Sequence, residues 1–405
     1  MSKLTKYKFS DLYEMSSGIS SSKDQAGHGS PFISFSTVFN NYFLPEELPD
    51  LMDTSLKEQE IFSVKKDDVF ITRTSETVDA LAMSCVAVKD YPKATFSGFV
   101  KRLRPKTTGI VYSKYIAFFL RSKYFRKVLD CNTIMTLRAS FNEDMFSFLY
   151  LYLPDYEEQV RIGDLLYKME MKIRTNNKIN DNLEQQAKLI YDYWFTQFDF
   201  PDENGKPYCS SGGKMVWNEQ LKRNIPENWN VVPLLKLVSW ESNSQPPKSE
   251  FVYEPKEGYV RFIQNRDYDS DTHITYIPRT KNLSIVDRFD ILMDKYGDAG
   301  AVRYGIEGAF NVALGKICVH NPNYREYIRS FLGSDGIYKF LHNSCMASTR
   351  ASLSEANLAI LNIVVPNEKI ILDYENFLHK IRVSILKNKD ETVELINLRD
   401  WLLPM

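Results

Sequence analysis

Cysteine is scarce. Cys85, Cys131, Cys209, Cys318 and Cys345 show neither Cys-x-x-Cys spacing nor a paired framework, which speaks against a disulfide scaffold and against a zinc ribbon. The five histidines (His28, His273, His320, His342 and His379) also lack metal-ligand spacing. No apolar run reaches the roughly 18 residues that a membrane span needs. Residues 1–13 are polar and charged rather than leader-like, so the expected compartment is cytoplasmic. An excess of one charge is missing too: 51 basic and 52 acidic side chains leave a net charge of -1. A chain so balanced does not hold nucleic acid by bulk charge alone. What remains, 405 residues that are 43% hydrophobic and 25% charged, is a globular protein of two or three domains.

Catalytic signatures fail in turn. His320-Asn321-Pro322-Asn323-Tyr324 is similar to the Asn-Pro-Pro-Tyr motif of amino-methyltransferases, but Asn323 replaces the second proline and no Gly-rich loop follows a strand upstream. Gly315-Lys316 lacks the spaced glycine and the Ser or Thr of a phosphate-binding loop. Pro201-Asp202 through Lys206 has a nuclease-like look but sits in a polar linker. The chain is not expected to be an enzyme by itself.

Repetition is what the sequence does have. Leu137-Arg138-Ala139-Ser140 returns as Thr349-Arg350-Ala351-Ser352-Leu353, with the arginines 212 positions apart, and Leu153-Pro154 returns as Val365-Pro366 at the same offset. Asp68-Val69-Phe70-Ile71 resembles Asp290-Ile291-Leu292-Met293 at an offset of 222. Two unequal copies of one unit explain both offsets.

Each copy closes on a heptad seam. In the first, Ile162, Leu166, Met169, Ile173, Asn176, Asn180, Leu183, Ala187, Ile190 and Trp194 follow one another at alternating steps of four and three. The second repeats the register through Tyr374, Leu378, Ile381, Ile385, Asn388, Thr392, Leu395, Arg399 and Leu402, with Arg399 out of pattern. A lone stripe of this kind is ordinarily a core-facing helix; two in matching register predict a pair. Related by a pseudo-twofold axis they run antiparallel, with layers at a constant sum of residue numbers. That register joins Asn180 to Asn388, Asn176 to Thr392, Leu183 to Ile385, Ile173 to Leu395 and Trp194 to Tyr374. Its polar centre fixes the register at some cost in stability. Helices of about 37 to 40 residues give a rod of roughly 55–60 Å.

Before each seam the pattern is mixed α/β. Residues 32–38, 69–72, 259–263 and 363–365 predict strands, and 112–129 and 324–340 predict helices. The stretch 199–229, rich in Gly, Pro, Ser and Asn, predicts an ordered linker. Residues 93–127 hold ten Lys or Arg and no acid. Within them Lys101, Arg102, Arg104 and Lys106 follow Phe96 and Phe99 and are candidate phosphate contacts, as is Arg73. The second copy offers Asn265 and Arg266 beside Gln264, side chains able to read base edges, with Lys295, Tyr296, Arg303 and Lys316. Arg138 and Arg350 are candidates because the repeat makes them equivalent; a structural salt bridge in each domain is the competing reading. Two unlike modules held on a rod suggest a ruler for two unlike half-sites.

Several segments carry a family resemblance over essentially the whole chain: Leu153-Pro154 through Glu157-Glu158-Gln159-Val160-Arg161-Ile162, Gln185-Gln186-Ala187 through Tyr193-Trp194-Phe195, and Phe198-Asp199-Phe200-Pro201. Gly212-Gly213-Lys214-Met215-Val216-Trp217, Ile225-Pro226-Glu227-Asn228-Trp229 and Leu398-Arg399-Asp400-Trp401-Leu402-Leu403-Pro404 complete the set. Together they resemble the specificity subunit of type I restriction-modification systems. The second copy departs from them in lacking the Glu-Gln pair after Pro366. The resemblance implies two target-recognition domains, 1–152 and 231–364, each reading part of a bipartite asymmetric DNA site. It implies a central spacer helix with its linker over 153–230 and a C-terminal spacer helix over 365–405. Partners are then double-stranded DNA, two adenine-methyltransferase subunits and restriction subunits; S-adenosylmethionine, ATP and magnesium belong to those partners. The alternatives are a stand-alone DNA-binding or assembly factor without nuclease partners and, less in keeping with the motifs, an enzyme in its own right.

Overall fold

The computed structural model describes residues 4–20, 22–75, 80–132, 139–270, 273–346 and 352–403. The chain divides into two compact units, Met1–Thr175 with Glu391–Met405, and Asn176–Asp390. The division falls inside both long helices.

In the first unit an antiparallel sheet has the order Tyr13–Ser17, Val100–Pro105, Val69–Thr72, Ser84–Val86. Val69–Thr72 is buried along its whole length, as an apolar run in a central strand should be. A second sheet pairs Ala26–Ile33 in parallel with Thr95–Phe96, Phe32 opposite Thr95 and Ile33 opposite Phe96. The second unit repeats this plan. Its antiparallel sheet runs Val238–Ser242, Leu314–Val319, Ile291–Asp294, Val302–Arg303. Its parallel pair is Tyr259–Ile263 with Gly308–Phe310, Phe262 opposite Ala309 and Ile263 opposite Phe310. Each unit also has an outlying antiparallel pair before its long helix, Thr5–Lys8 with Tyr150–Leu153 and Asn230–Pro233 with Asn362–Val365.

Three expectations from the sequence need correction. Of the strand expected over 32–38, Phe32 and Ile33 are extended, but Ser34 caps a helix, Phe35–Asn40, its Oγ accepting from Thr37 N at 3.2 Å. The helix expected over 112–129 is two, Ser113–Phe119 and Lys123–Asn132. Between them Arg121 donates to the carbonyls of Ser84, Val38, Phe39 and Asn41 at 2.7–3.0 Å, an anchoring that a straight helix would not allow. The helix expected over 324–340 is likewise split into Arg325–Leu332 and Asp335–Met346, at Gly333 and Ser334. The linker is ordered by a hairpin, Met215–Asn218 with Arg223–Pro226. Beside it Trp229 stacks on Phe200 and Phe200 on Tyr208, both with ring centroids 4.7 Å apart.

The long helices are Tyr156–Tyr191 and Glu368–Leu402, each about 50–55 Å long at 1.5 Å per residue. The first ends in a π turn, Asp192–Thr196, where an α-helix was expected to reach Trp194. Within the second unit Asn388 Nδ2 donates to Asn180 Oδ1 at 2.9 Å, and the rings of Trp194 and Tyr374 are 5.7 Å apart. Leu183 packs on the apolar core that contains Ile385. Within the first unit Ile173 is buried and Leu395 half-buried. Arg399, the residue out of pattern, reaches Glu170 at 2.8 Å and lies over the Tyr42 ring. Asn176 and Thr392 belong to different units.

Candidate nucleic-acid interface

Two segments of the chain meet the residue that follows the central strand of each sheet. In the first unit that residue is Arg73. Its backbone N–H donates to Phe99 O at 2.9 Å and its carbonyl accepts from Phe141 N at 2.8 Å. The turn that carries Phe99 is itself fixed: Ser97 N donates to Ile33 O, Val100 N to Ser97 O, and Phe99 N to Ser97 Oγ, at 3.0, 2.9 and 3.2 Å. The Arg73 side chain is exposed, with Nη1 3.5 Å from Gly98 O.

The second unit builds the same frame bond for bond. Lys295 N donates to Ala313 O at 2.8 Å and Lys295 O accepts from Leu353 N at 2.9 Å. Asn311 N donates to Ile263 O, Leu314 N to Asn311 O, and Ala313 N to Asn311 Oδ1, at 2.9, 3.1 and 3.1 Å. Arg73 and Lys295 are therefore structural equivalents. Arg138 and Arg350 lie outside the described residues, but Phe141 and Leu353, each three positions further on, are the residues tied to Arg73 and Lys295. The sequence held this signal: continuing the Asp68/Asp290 match five positions reaches the pair.

The other candidates divide. Lys101 is buried, donating to Ser17 Oγ at 2.8 Å and reaching Glu143 at 3.3 Å. Arg102 is buried against the Phe96 ring and donates to Ser63 O at 2.6 Å; burial holds its pKa below the usual guanidinium range. Arg104 grips the fully buried Asp68 carboxylate with two bonds of 2.7 and 2.6 Å, which raise its own pKa. These three make internal bonds that tie the sheet to Ser17, Ser63 and Asp68, and a phosphate contact would have to compete with those partners. Lys106 stays exposed, tethered to Ser10 O at 2.8 Å.

In the second unit Lys316 pairs with Asp290, the equivalent of Asp68, at 2.9 Å and has an internal partner in the same way. Arg303 binds Asp294 at 3.1 and 2.8 Å and stacks over Tyr268, also a structural role. Burial raises the pKa of Asp294, with bonds from Arg303 and Asn265 working the other way. Arg266 is exposed, and Tyr296, beside Lys295, is half accessible at 50%. So the structure gathers Arg73 and Phe99 at one frame and Lys295 and Tyr296 at the other. It commits Lys101, Arg102, Arg104, Arg303 and Lys316 elsewhere. Phe99, 66% exposed, stands out in the sequence only as a neighbour of the basic run.

Among the described residues no group of three His, Cys, Asp or Glu is placed to hold a metal, and no helix is long and apolar enough to cross a membrane. Two units that present exposed side chains from one repeated frame define a tandem recognition protein. A family model described as the type I restriction modification DNA specificity domain matches residues 1–185 and 226–400. The chain belongs to that family, and its place there is the specificity subunit, which recognises DNA and is not itself catalytic. It is 23% identical over 340 residues to the type I restriction enzyme MjaIX specificity subunit of Methanocaldococcus jannaschii, covering 79% of this chain and 73% of that protein. It is 23% identical to the HindI specificity subunit of Haemophilus influenzae, covering 92% of each. The crystal structure of a type I restriction-modification S subunit from M. genitalium shares the fold, with a TM-score of 0.65 at 13% identity over 99% of this chain and 95% of that one.

Proposed function

We propose that each unit reads one part of a bipartite, asymmetric DNA site, Arg73 serving the first half-site and Lys295 the second. The repeated frame carries this reading: the same backbone bonds bring a basic residue, a turn and the segment after Arg138 or Arg350 together in both units. Base edges are read by side chains held in fixed positions, and phosphate contacts set the orientation. Beside the exposed Arg73 and the half-buried Lys295, Arg266, Tyr296 and Lys106 are the exposed candidates for those contacts.

The paired helices set the spacing between half-sites and dock two adenine-methyltransferase subunits, and restriction subunits join that assembly. S-adenosylmethionine, ATP and magnesium are carried by those partners, and the complex works in the cytoplasm. A chain with a net charge of -1 leaves much of the DNA affinity to its partners.

Mapping adenine methylation across the genome of a host that expresses the chain with its methyltransferase tests the proposal. A gapped, asymmetric motif that vanishes when this chain is deleted is the expected result. Unchanged methylation, with the complex verified to be present, would favour a stand-alone binding factor.

A further inference from the structure

The two frames agree in backbone and differ in what the turn presents. In the first unit the turn carries Phe99, with 66% of its surface exposed. A single exposed apolar side chain is ordinary, but this one is held out. Its N–H is bonded to Ser97 Oγ, its carbonyl to Arg73 N, and the preceding Gly98 N to Ile19 O at 2.7 Å. Gly98 itself sits close to Ile19, whose carbonyl oxygen would lie 3.0 Å from an added Cβ. The backbone that carries the ring is thus fixed on both sides of it. Beside it stands the exposed Arg73, with Nη1 3.5 Å from Gly98 O. In the second unit the equivalent position is Ala313, and the exposed residue of that turn is the smaller Val312.

An exposed aromatic ring on a fixed backbone, next to a cation, fits one class of partner surface well: a nucleobase flanked by its phosphate. Aromatic side chains pack on base faces or wedge between base steps, while adjacent arginines take the backbone charge. We propose that Phe99 packs its ring against a base of the first half-site, and that the second unit, with Ala313 in its place, makes no counterpart contact. The inference rests on the DNA-reading function above and makes the two half-sites unlike in kind as well as in sequence.

The test uses the complex of this chain with its methyltransferase partner and a labelled duplex carrying the motif found by methylation mapping. Further duplexes change one base at a time in either half-site, and one is scrambled throughout. Phe99→Ala is expected to weaken cognate binding about tenfold, as loss of one base–aromatic contact does. It flattens discrimination at one position of the first half-site, leaving the second half-site, the scrambled duplex and the melting temperature unchanged. Phe99→Tyr restores the discrimination. Unaltered cognate affinity, or equal weakening on cognate and scrambled DNA, overturns the inference while leaving the DNA-reading function intact. A wild-type complex that does not distinguish cognate from scrambled DNA removes that function and the inference with it.

Discussion

In the first unit, fully buried Gln159 accepts from Tyr112 N at 3.0 Å and donates to the carbonyls of Ile110 and Pro154 at 3.0 and 2.9 Å. In the second unit the equivalent residue, 212 positions on, is Ile371, part of the apolar core. The polar duty has moved one turn along the helix to Glu375, whose carboxylate accepts from Glu326 N at 2.8 Å. Tyr112 and Glu326 stand at the starts of equivalent short helices, whose first N–H groups have no partner within the helix. Glu375 in turn replaces Gly163. There the first unit packs so tightly that an added Cβ would come within 2.7 Å of Tyr115 N. The two units thus meet one requirement, an acceptor for a helix start, from different positions of the long helix. What the backbone needs is repeated; which side chain supplies it is free to differ.

The sharpest contrast lies in how each long helix is held by its own unit. Arg382 sits between Glu184 and Glu326, with Nε 3.1 Å from Glu326 Oε2, and it shares the Tyr304 ring with Arg329. Both Arg382 and Glu326 are buried. Arg382→Ala leaves the buried Glu326 carboxylate with Arg329 alone, 3.3 Å away, and is expected to cost about 3 kcal/mol. Arg399→Ala in the first unit removes a less enclosed pair with Glu170 and is expected to cost about 1.5–3 kcal/mol. Chemical denaturation of the two variants compares them directly, and equal losses would erase the contrast.

Glu375 gives a smaller effect with a definite sign. Burial pushes its carboxyl up to about 7 from an ordinary 4.5, the nearby Glu326 adding to the shift and the bond from Glu326 N opposing it. The folded state therefore holds this proton more tightly than the unfolded chain does. Its stabilising contribution is fully present below pH 4.5 and fades as pH rises through about 7. Glu375→Gln is expected to remove that part of the pH dependence. Melting curves between about pH 5 and pH 7 that stay parallel for wild type and variant would place the titration elsewhere.

Much of this was legible in the sequence. The repeat, the strands over 69–72 and 259–263 and both heptad seams rest on local pattern, which period and β-branched content report well. The layer joining Asn180 to Asn388 was reachable because a heptad repeat constrains partners far apart in the chain. The basic run was not readable in the same way. Lys101, Arg102 and Arg104 look like a solvated patch until antiparallel pairing carries Asp68 and Ser63 across to them. Nothing local announces a partner some 40 residues away. The breaks at Arg121 and Gly333 were hidden for a related reason, since both depend on what the helices pack against. Arg138 and Arg350, the site residues that the repeat favoured most, fall outside the described residues, and the equivalence of Arg73 and Lys295 rests on the described frame instead.

The equivalence of Arg73 and Lys295 is the centre of the account, and binding to split sites tests it most directly. The complex with its methyltransferase is titrated with duplexes in which one half-site is cognate and the other scrambled. Arg73→Ala is expected to weaken binding about tenfold where the first half-site is cognate and to leave the other duplex unaffected, with Lys295→Ala giving the reverse, each consistent with about 1–3 kcal/mol for one lost contact. Equal losses on both duplexes from either substitution, or no loss from both, would contradict the assignment of one frame to each half-site.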